Sequence, residues 1–157
     1  DWTHSPEELG KALNAGLPSD RFQVDWWINT QRVNRRLSKR PRLALDLAHF
    51  LSAGTELLNP PRLGAAGLPQ PGEQVRWEVI DAGEASANEA RMALVEIPAD
   101  FMALRAADPA LALAWRMHTR ELFQRLFEAG YLVTDFVHVD GEQARSFYVL
   151  VHGESTF

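Results

Sequence analysis

The sequence predicts an α+β fold in which helices pack on a mixed or antiparallel sheet. Three observations support this: a long amphipathic helix pattern at Asp108–Tyr131, short segments of apolar–polar alternation, and a final pair of such segments joined by Asp140-Gly141, a hairpin-type turn. The chain has 157 residues, of which 46% are hydrophobic, enough for one domain with a substantial core. We therefore expect a single domain over residues 1–157, with a proline- and glycine-rich loop at about 59–72.

The first part of the chain is predicted to contain short helices and one strand. Ser5–Glu8 is a capping box with proline at the first helical position, which indicates a short helix. Asp20–Asn29 alternates between apolar and polar residues, as a half-buried strand does. Thr30–Ser38 is predicted to form a second short helix. Leu43–Ala53 is either another helix or an irregular apolar segment, because its periodicity is ambiguous.

The second part of the chain carries most of the predicted sheet. Glu73–Asp81 alternates and is predicted to be a strand, as is Arg91–Ile97. Pro98–Ala107 is predicted to be a short helix or a turn. The last two strands are Leu132–Val139 and Arg145–His152. With the long helix before them, these strands complete the predicted α+β order.

The long helix has clear sequence signals at both ends. Asp108 is a favourable N-cap, and Pro109 fits the first helical position, where a missing N–H costs nothing. Gly130 suits the left-handed conformation just past the end. The helix is therefore predicted to run from just after Asp108 to the residues before Gly130.

Two arginines of this helix, Arg116 and Arg120, are predicted to lie beside its apolar stripe, in line with Phe123 and Phe127. Their long stems could cover apolar surface while the charged heads reach water or a carboxylate. Alternatively, they form an anion site that binds a carboxylate or a phosphate in a partly dry cleft. The sequence leaves both interpretations open.

A basic run lies at Arg32–Arg42, where six positively charged side chains occur with no acidic one, although the whole chain has a net charge of −5. A solvated helix face is the plain interpretation. Alternatively, Arg32, Arg35 and Arg36 bind a phosphate-bearing cofactor, or the run binds the acidic surface of a partner. Nucleic acid is a weaker hypothesis, because the body is acidic and no nucleic-acid-binding motif is present.

Further candidate site residues lie in the predicted strands. Trp27 faces away from the apolar side of its strand, so either a helix packs on it or it forms a ligand platform. Glu96 and Asp135 are weak candidates for a general base, since most such carboxylates are solvated or ion-paired.

Several classes of site are excluded or disfavoured. The chain has no cysteine, which excludes disulfides, thiolate metal sites and a cysteine nucleophile. The five histidines do not follow a metal-binding spacing, so no metal site is expected. No apolar run approaches the roughly 20 residues that span a bilayer, so we expect a cytoplasmic protein without membrane contact.

Three segments resemble the C-terminal part of a family of predicted GNAT-superfamily acyltransferases: Gly16–Val33, Val95–Tyr131 and Ser146–Val151. The resemblance covers most of the chain, except the middle from about Pro41 to Gly72. Its more specific motifs are Asp20-Arg21, Ile97-Pro98-Ala99-Asp100-Phe101, and Trp115-Arg116 with Thr119-Arg120.

The resemblance implies a GNAT-like fold and an acyl-CoA-dependent N-acyltransferase, with acetyl-CoA or another acyl-CoA as the cofactor. Members of the family are associated with N-acylamino-acid racemases, so the implied substrate is a small amino-acid-like amine. Its implied binding residues are Arg116 and Arg120, for which a carboxylate is the expected partner. The mechanism would be direct attack of a neutral amine on the thioester.

The glycine-containing loop that holds the acyl-CoA diphosphate in this family is not found in the sequence. In the family, that loop lies N-terminal to the position that corresponds to Asp1 of this sequence. We therefore expect the chain to be the C-terminal half of a longer protein, inactive alone. The alternatives are a non-catalytic binding or homodimerisation module that uses Trp27 and the arginine face, and an anion or nucleic-acid binder that acts through Arg32–Arg42.

Overall fold

The computed structural model describes residues 21–24, 33–34, 46–64, 67–84 and 91–152. Within them, four helices and six strands have described bounds, in an order that confirms the predicted α+β class. The elements are α1 (Leu47–Ser52), β1 (Glu56–Leu57), β2 (Arg62–Leu63), β3 (Pro69–Gln70), α2 (Trp77–Glu84), β4 (Arg91–Pro98), α3 (Phe101–Ala107), α4 (Pro109–Glu128), β5 (Leu132–Val139) and β6 (Arg145–His152).

The main sheet has the strand order β1-β4-β6-β5. β1 runs parallel to β4, whereas β4 pairs with β6 and β6 with β5 in the antiparallel sense. The predicted mixed sheet is therefore confirmed. A separate two-stranded unit, β2 with β3, lies within the predicted proline- and glycine-rich loop.

The two faces of the main sheet bury different clusters. On one face, Leu122 and Leu126 of α4 pack with Val95 and Leu150 of the sheet. The cluster on the other face contains Phe50 of α1 and four sheet residues, Leu94, Val137, Phe147 and Val149. Successive side chains of a strand point to opposite faces. The sheet therefore separates the side chains that pack against α4 from those that pack against α1.

The ends of α4 agree with the sequence prediction. The Asp108 side chain accepts a hydrogen bond from the backbone N–H of Leu111 at 2.9 Å, and Pro109 opens the helix. Gly130 has a φ of 83°, the left-handed conformation that favours glycine. The two final strands also have the predicted bounds, and they pair antiparallel.

The strand predicted at Glu73–Asp81 is wrong, because residues 73–76 are not in a strand and α2 begins at Trp77 and continues to Glu84. Ile80 is only 1% exposed, and its neighbour Val79 packs against the same core cluster. Adjacent residues turn toward the same side in a helix but not in a strand. The apolar alternation that suggested a strand arose because Val75 and Trp77 reach the same cluster from the turn before α2 and from its first residue.

The strand predicted at Asp20–Asn29 is not observed in its described part. Residues 21–24 have no regular secondary structure, and Val24 is 68% exposed. Phe22 packs instead on aromatic rings of α4. The remainder of that segment and the predicted helix after Ser5 lie outside the described residues.

The remaining predictions concern short segments. For Thr30–Ser38 only residues 33–34 are described, and these are helical. The ambiguous segment Leu43–Ala53 contains the helix α1, with Asp46 as its N-cap. Pro98–Ala107 contains α3, with Asp100 as its N-cap. Among the residues that the structure describes, no helix combines the length and apolar character needed to cross a membrane.

Candidate functional site

A cavity of about 630 Å³ lies between α4, the end of β4 and the segment at residues 21–22. Its lining includes three arginines, Arg21, Arg116 and Arg120, and none of the described residues that line it is acidic. Six aromatic side chains also line it: Phe22, Phe101, Trp115, Phe123, Phe127 and Tyr148. The lining therefore combines positive charge with apolar surface. We call this space the arginine cavity.

Arg116 is fixed by the junction of α3 and α4. The side chain of Asp100 caps α3 by accepting the N–H of Ala103 at 2.8 Å, which places Phe101 at the first helical position. The guanidinium carbon of Arg116 lies 4.7 Å from the centre of the Phe101 ring. This cation–π contact holds the guanidinium in place at the cavity wall.

The Nε atom of Arg116 is buried and has no hydrogen-bond partner in the described part of the chain. A buried donor without a partner is unfavourable, by about 1–3 kcal/mol or more when the group is charged. An anionic acceptor in the cavity would satisfy this donor and offset the charge. Of the two sequence interpretations of Arg116, this geometry favours the anion site.

Arg120 lies one helical turn after Arg116 and lines the same cavity. Its Nη1 atom lies 3.8 Å from the sulfur of Met117. Arg21 lines the cavity together with its neighbour Phe22. In the strand predicted at Asp20–Asn29, these two adjacent side chains would point to opposite faces. The sequence therefore did not predict that both line one cavity.

The aromatic wall of the cavity is a connected cluster of rings. The Phe22 ring centre lies 4.8 Å from that of Phe123 and 5.6 Å from those of Phe127 and Tyr148, with edge-to-face geometry in each pair. Phe22 is 39% exposed and Phe127 is 41% exposed. These partly exposed rings offer an apolar surface next to the arginines.

Glu96 is buried, but its carboxylate is engaged by an arginine. Arg145 donates from Nε to Oε1 at 2.7 Å and from Nη2 to Oε2 at 2.5 Å. This hydrogen bond raises the pKa of the Arg145 guanidinium, which also lies over the Phe147 ring. Glu96 is directly opposite Phe147 in the sheet, on the α1 side. A bidentate pair in this position acts as a structural connection between β4 and β6.

Asp135 also lies on the α1 side of the sheet. A register irregularity between Val133 and Asp135 places Asp135 opposite Val149, a member of the α1-side cluster. Its Oδ1 accepts the N–H of Phe136 at 3.0 Å. The fold thus brings Arg116 and Arg120 together but places both carboxylate candidates across the sheet from them.

A second cavity, of about 490 Å³, lies between the β2–β3 hairpin and the ends of β4 and β6. Glu96 and Arg145 line it, together with several prolines. Ile97, Pro98 and Trp115 line both this space and the arginine cavity. The indole Nε1 of Trp115 donates to the carbonyl of Pro69 at 2.7 Å, which ties α4 to the hairpin. We call this space the hairpin cavity.

A buried polar connection that the sequence did not reveal joins the segment after β1 to β4 and α4. The Asn59 Oδ1 accepts the backbone N–H of Glu96 at 2.8 Å, and its Nδ2 donates to the Glu96 carbonyl at 2.9 Å. The same Nδ2 lies 3.3 Å from Nε2 of His118, whose pKa burial lowers. Asn59 and Glu96 are 37 residues apart, so no local sequence signal could identify this contact.

The other predicted site residues, Trp27, Arg32, Arg35 and Arg36, lie outside the described residues. The described ranges contain no group of three or more histidine, cysteine, aspartate or glutamate side chains arranged to hold a metal ion. In the last hairpin, His138 lies opposite Ser146 and not opposite His152. His138 contacts Ser146, and His152 lies against Tyr131.

The described residues do not fit the diphosphate of an acyl-CoA. Such a group binds free N–H groups at a helix N-terminus. Here Asp46, Asp100 and Asp108 cap α1, α3 and α4 with their own carboxylates, and α2 carries Glu78 in its first turn. These four acidic residues occupy the N–H groups that a phosphate would bind, or repel the phosphate by their charge.

The arginine cavity is thus the best-defined candidate site in the described part of the chain. No protein-family model, no curated protein and no solved structure matches the sequence. A functional conclusion therefore depends on the chemistry of the cavity and on the sequence motifs that line it, Ile97-Pro98 and Trp115-Arg116 among them.

Proposed function

We propose that the arginine cavity binds the carboxylate of an amino-acid-like ligand with an aromatic or large apolar side chain. In this proposal the chain is the acceptor-binding portion of a GNAT-like N-acyltransferase. The observation that carries the proposal is the buried, unpartnered Nε of Arg116 in a cavity without described acidic residues. The sequence resemblance supplies the reaction class.

A carboxylate suits Arg116 because a guanidinium presents planar, paired N–H donors that match two carboxylate oxygens. Phe101 holds the guanidinium from one side, which lowers the entropy lost when a ligand binds. Arg120 and Arg21 add positive charge to the same space. In a partly dry cavity, such charges attract an anion more strongly than they do in water.

The aromatic wall favours a large apolar side chain on the ligand. Phe22, Phe127 and Tyr148 present ring edges and faces on which a further ring can pack. Burial of about 100 Å² of apolar surface contributes about 2.5 kcal/mol. Arginines and rings together therefore select an amphipathic carboxylate over a small polar one.

The three arginines also suit the chemistry of an acceptor amine. Nearby positive charge disfavours the protonated form of an amine, and only the neutral amine attacks a thioester. The resemblance implies acyl-CoA as the donor. The described residues supply no diphosphate cradle, so the share of this chain is to bind the acceptor and to favour its neutral form.

Isothermal titration calorimetry with N-acetyl-L-phenylalanine and its amide tests the carboxylate site. We expect the acid to bind the 157-residue chain and the amide to bind at least tenfold more weakly, because charged hydrogen bonds contribute about 1.5–3 kcal/mol. Arg116→Ala should weaken binding of the acid about 10- to 100-fold, and Arg116→Lys should restore only part of it.

The matched control is Arg125→Ala, which removes an arginine of the same helix that packs over Trp77 outside the cavity. This variant should bind the acid with unchanged affinity. Equal binding of acid and amide, or equal losses in the Arg116→Ala and Arg125→Ala variants, would refute the carboxylate site.

A further inference from the structure

We propose that the hairpin cavity binds the apolar acyl chain of the same ligand, so that the full ligand is a medium-chain N-acyl amino acid. This inference rests on the proposed function, because the carboxylate at Arg116 sets the position of the ligand. It adds the identity of the acyl group, which the arginine cavity alone does not define.

The two cavities adjoin where the ligand would be anchored. Ile97, Pro98 and Trp115 line both of them, and Trp115 directly precedes Arg116 in α4. A ligand with its carboxylate at Arg116 therefore lies against the shared wall. Its side chain can pack on the aromatic cluster, while a second arm passes the end of β4 into the hairpin cavity.

The lining of the hairpin cavity is mixed, and its apolar part can take a hydrocarbon chain. Leu63, Pro69, Ala99 and Ala144 supply apolar surface. The charged groups that line it are mostly engaged: Glu96 with Arg145, and Arg62 with Glu73 outside the cavity lining. Glu142 and Gln143 are exposed to water. Because Glu96, Arg145 and Arg62 already have ionic partners, these side chains offer little to attract a further ion.

The sizes of the cavities indicate a chain longer than acetyl. Small-molecule sites usually measure about 300–1,000 Å³. The arginine cavity, at about 630 Å³, is large enough for an N-acetyl amino acid by itself. An acetyl group would leave the adjoining 490 Å³ unused, whereas a chain of several carbon atoms would enter it.

Calorimetry with a series of N-acyl-L-phenylalanines, from acetyl through butanoyl and hexanoyl to octanoyl, tests the inference on the full chain. Burial of each methylene group contributes about 0.8 kcal/mol, so we expect affinity to increase about three- to fourfold per added methylene. An affinity that does not change with chain length would overturn the inference.

A cavity-filling variant provides the second measurement. Ala144→Trp and Ala99→Trp each place a large side chain at an exposed lining position of the hairpin cavity. Both should bind N-acetylphenylalanine within about twofold of the wild type and lose the increase with chain length. The control Ala114→Trp, at an exposed position of α4 outside both linings, should retain the increase.

The outcomes separate the two proposals. If N-acetylphenylalanine binds but the longer chains bind no more tightly, the hairpin cavity is excluded and the carboxylate site stands. If the filling variants retain the full increase, the chain lies elsewhere and the inference is wrong. If no member of the series binds, both proposals fail together.

Discussion

Glu96 has a structural role, because its carboxylate is buried in a bidentate pair with Arg145. Its side chain is 6% exposed, and Arg145 holds both of its oxygens. The sequence indicates a weak general-base candidate here because Glu96 lies near the end of an apolar strand. The structure adds the partner, which comes from β6, 49 residues later. A buried charge of this kind depends on its pair.

Substitution of Glu96 by glutamine should lower the free energy of unfolding by about 2 kcal/mol. The value is below the roughly 3–5 kcal/mol of fully buried pairs because 44% of the Arg145 side chain is exposed to water. Urea denaturation measures the change. Glu73→Gln breaks the exposed pair with Arg62 and should cost less than about 1 kcal/mol. Equal, small effects would show that the buried pair contributes nothing.

His118 is held in its neutral form by its position. Burial lowers the pKa of its imidazole, and the charge of Glu121 opposes this only in part. The nearby Asn59 amide has its oxygen on the Glu96 N–H and its nitrogen toward the ring. An amide N–H is a donor, so it matches a neutral ring nitrogen and not a protonated one.

Stability should therefore fall in acid through His118. Its folded pKa lies below the ordinary value of 6.5, so the unfolded chain binds more protons between the two values. The stabilising contribution is fully present above about pH 6.5 and is lost as the pH falls below that value toward the folded pKa. Urea denaturation at pH 7.5 and 5.5 should show a larger loss for the wild type than for His118→Gln. Identical losses would contradict the assignment.

The positions of some site residues could be predicted from the sequence, whereas the contacts of others could not. Arg116 and Arg120 share a helix face at a spacing of four, so their common position followed from helical periodicity. Asn59 and Arg145 meet Glu96 across 37 and 49 residues, and such contacts depend on the tertiary fold. Phe101, which orients Arg116, belonged to a quoted motif, but its ring contact could not be read from spacing.

Among the elements, α4 is the one whose boundaries depend most visibly on local chemistry. Its N-cap Asp108 satisfies the Leu111 N–H, and the same acid lies at the positive end of the helix dipole. This helix carries Arg116 and Arg120, so the point at which it begins also determines where these two side chains lie in the arginine cavity.

Loss of the Asp108 cap should lower the free energy of unfolding by about 1 kcal/mol, because the backbone N–H of Leu111 loses its acceptor. Asp108→Ala tests this by thermal and urea denaturation, with Asp108→Asn as the control that retains a capping oxygen. The asparagine variant should lie within a few tenths of a kcal/mol of the wild type. If both variants lose the same amount, charge and not capping is responsible.

Elements with complete local signals were predicted well, whereas short segments were not. α4 has a cap, a proline and a left-handed glycine, and β5 and β6 have alternation joined by a turn. The segment at α2 has eight residues, too few for its helical period to outweigh a chance alternation of Val75, Trp77 and Val79. Only packing on the core, with Ile80 buried, decides its conformation.

At the scale of the whole molecule, the sheet divides the candidate site residues into two groups. Arg116, Arg120 and the aromatic rings lie on the α4 side, and Glu96 and Asp135 lie on the α1 side. Composition and periodicity predicted the α+β class but not this division, because the face of a residue depends on strand order and register. In the described residues the arginine cavity therefore has binding groups and no acidic group.

An acidic residue stands at the start of each of the helices α1 to α4, namely Asp46, Glu78, Asp100 and Asp108. A dissolved anion that approaches these ends meets like charge, whereas at the arginine cavity it meets three cations. This contrast adds no contact to the bound complex, but it directs the diffusion of an anion toward the arginine cavity. Charge asymmetry of this kind can raise association rates by factors of about 10–1,000, and dissolved salt screens the effect over about 10 Å. The helix caps that stabilise the fold thus also influence how quickly an anionic ligand finds its cavity.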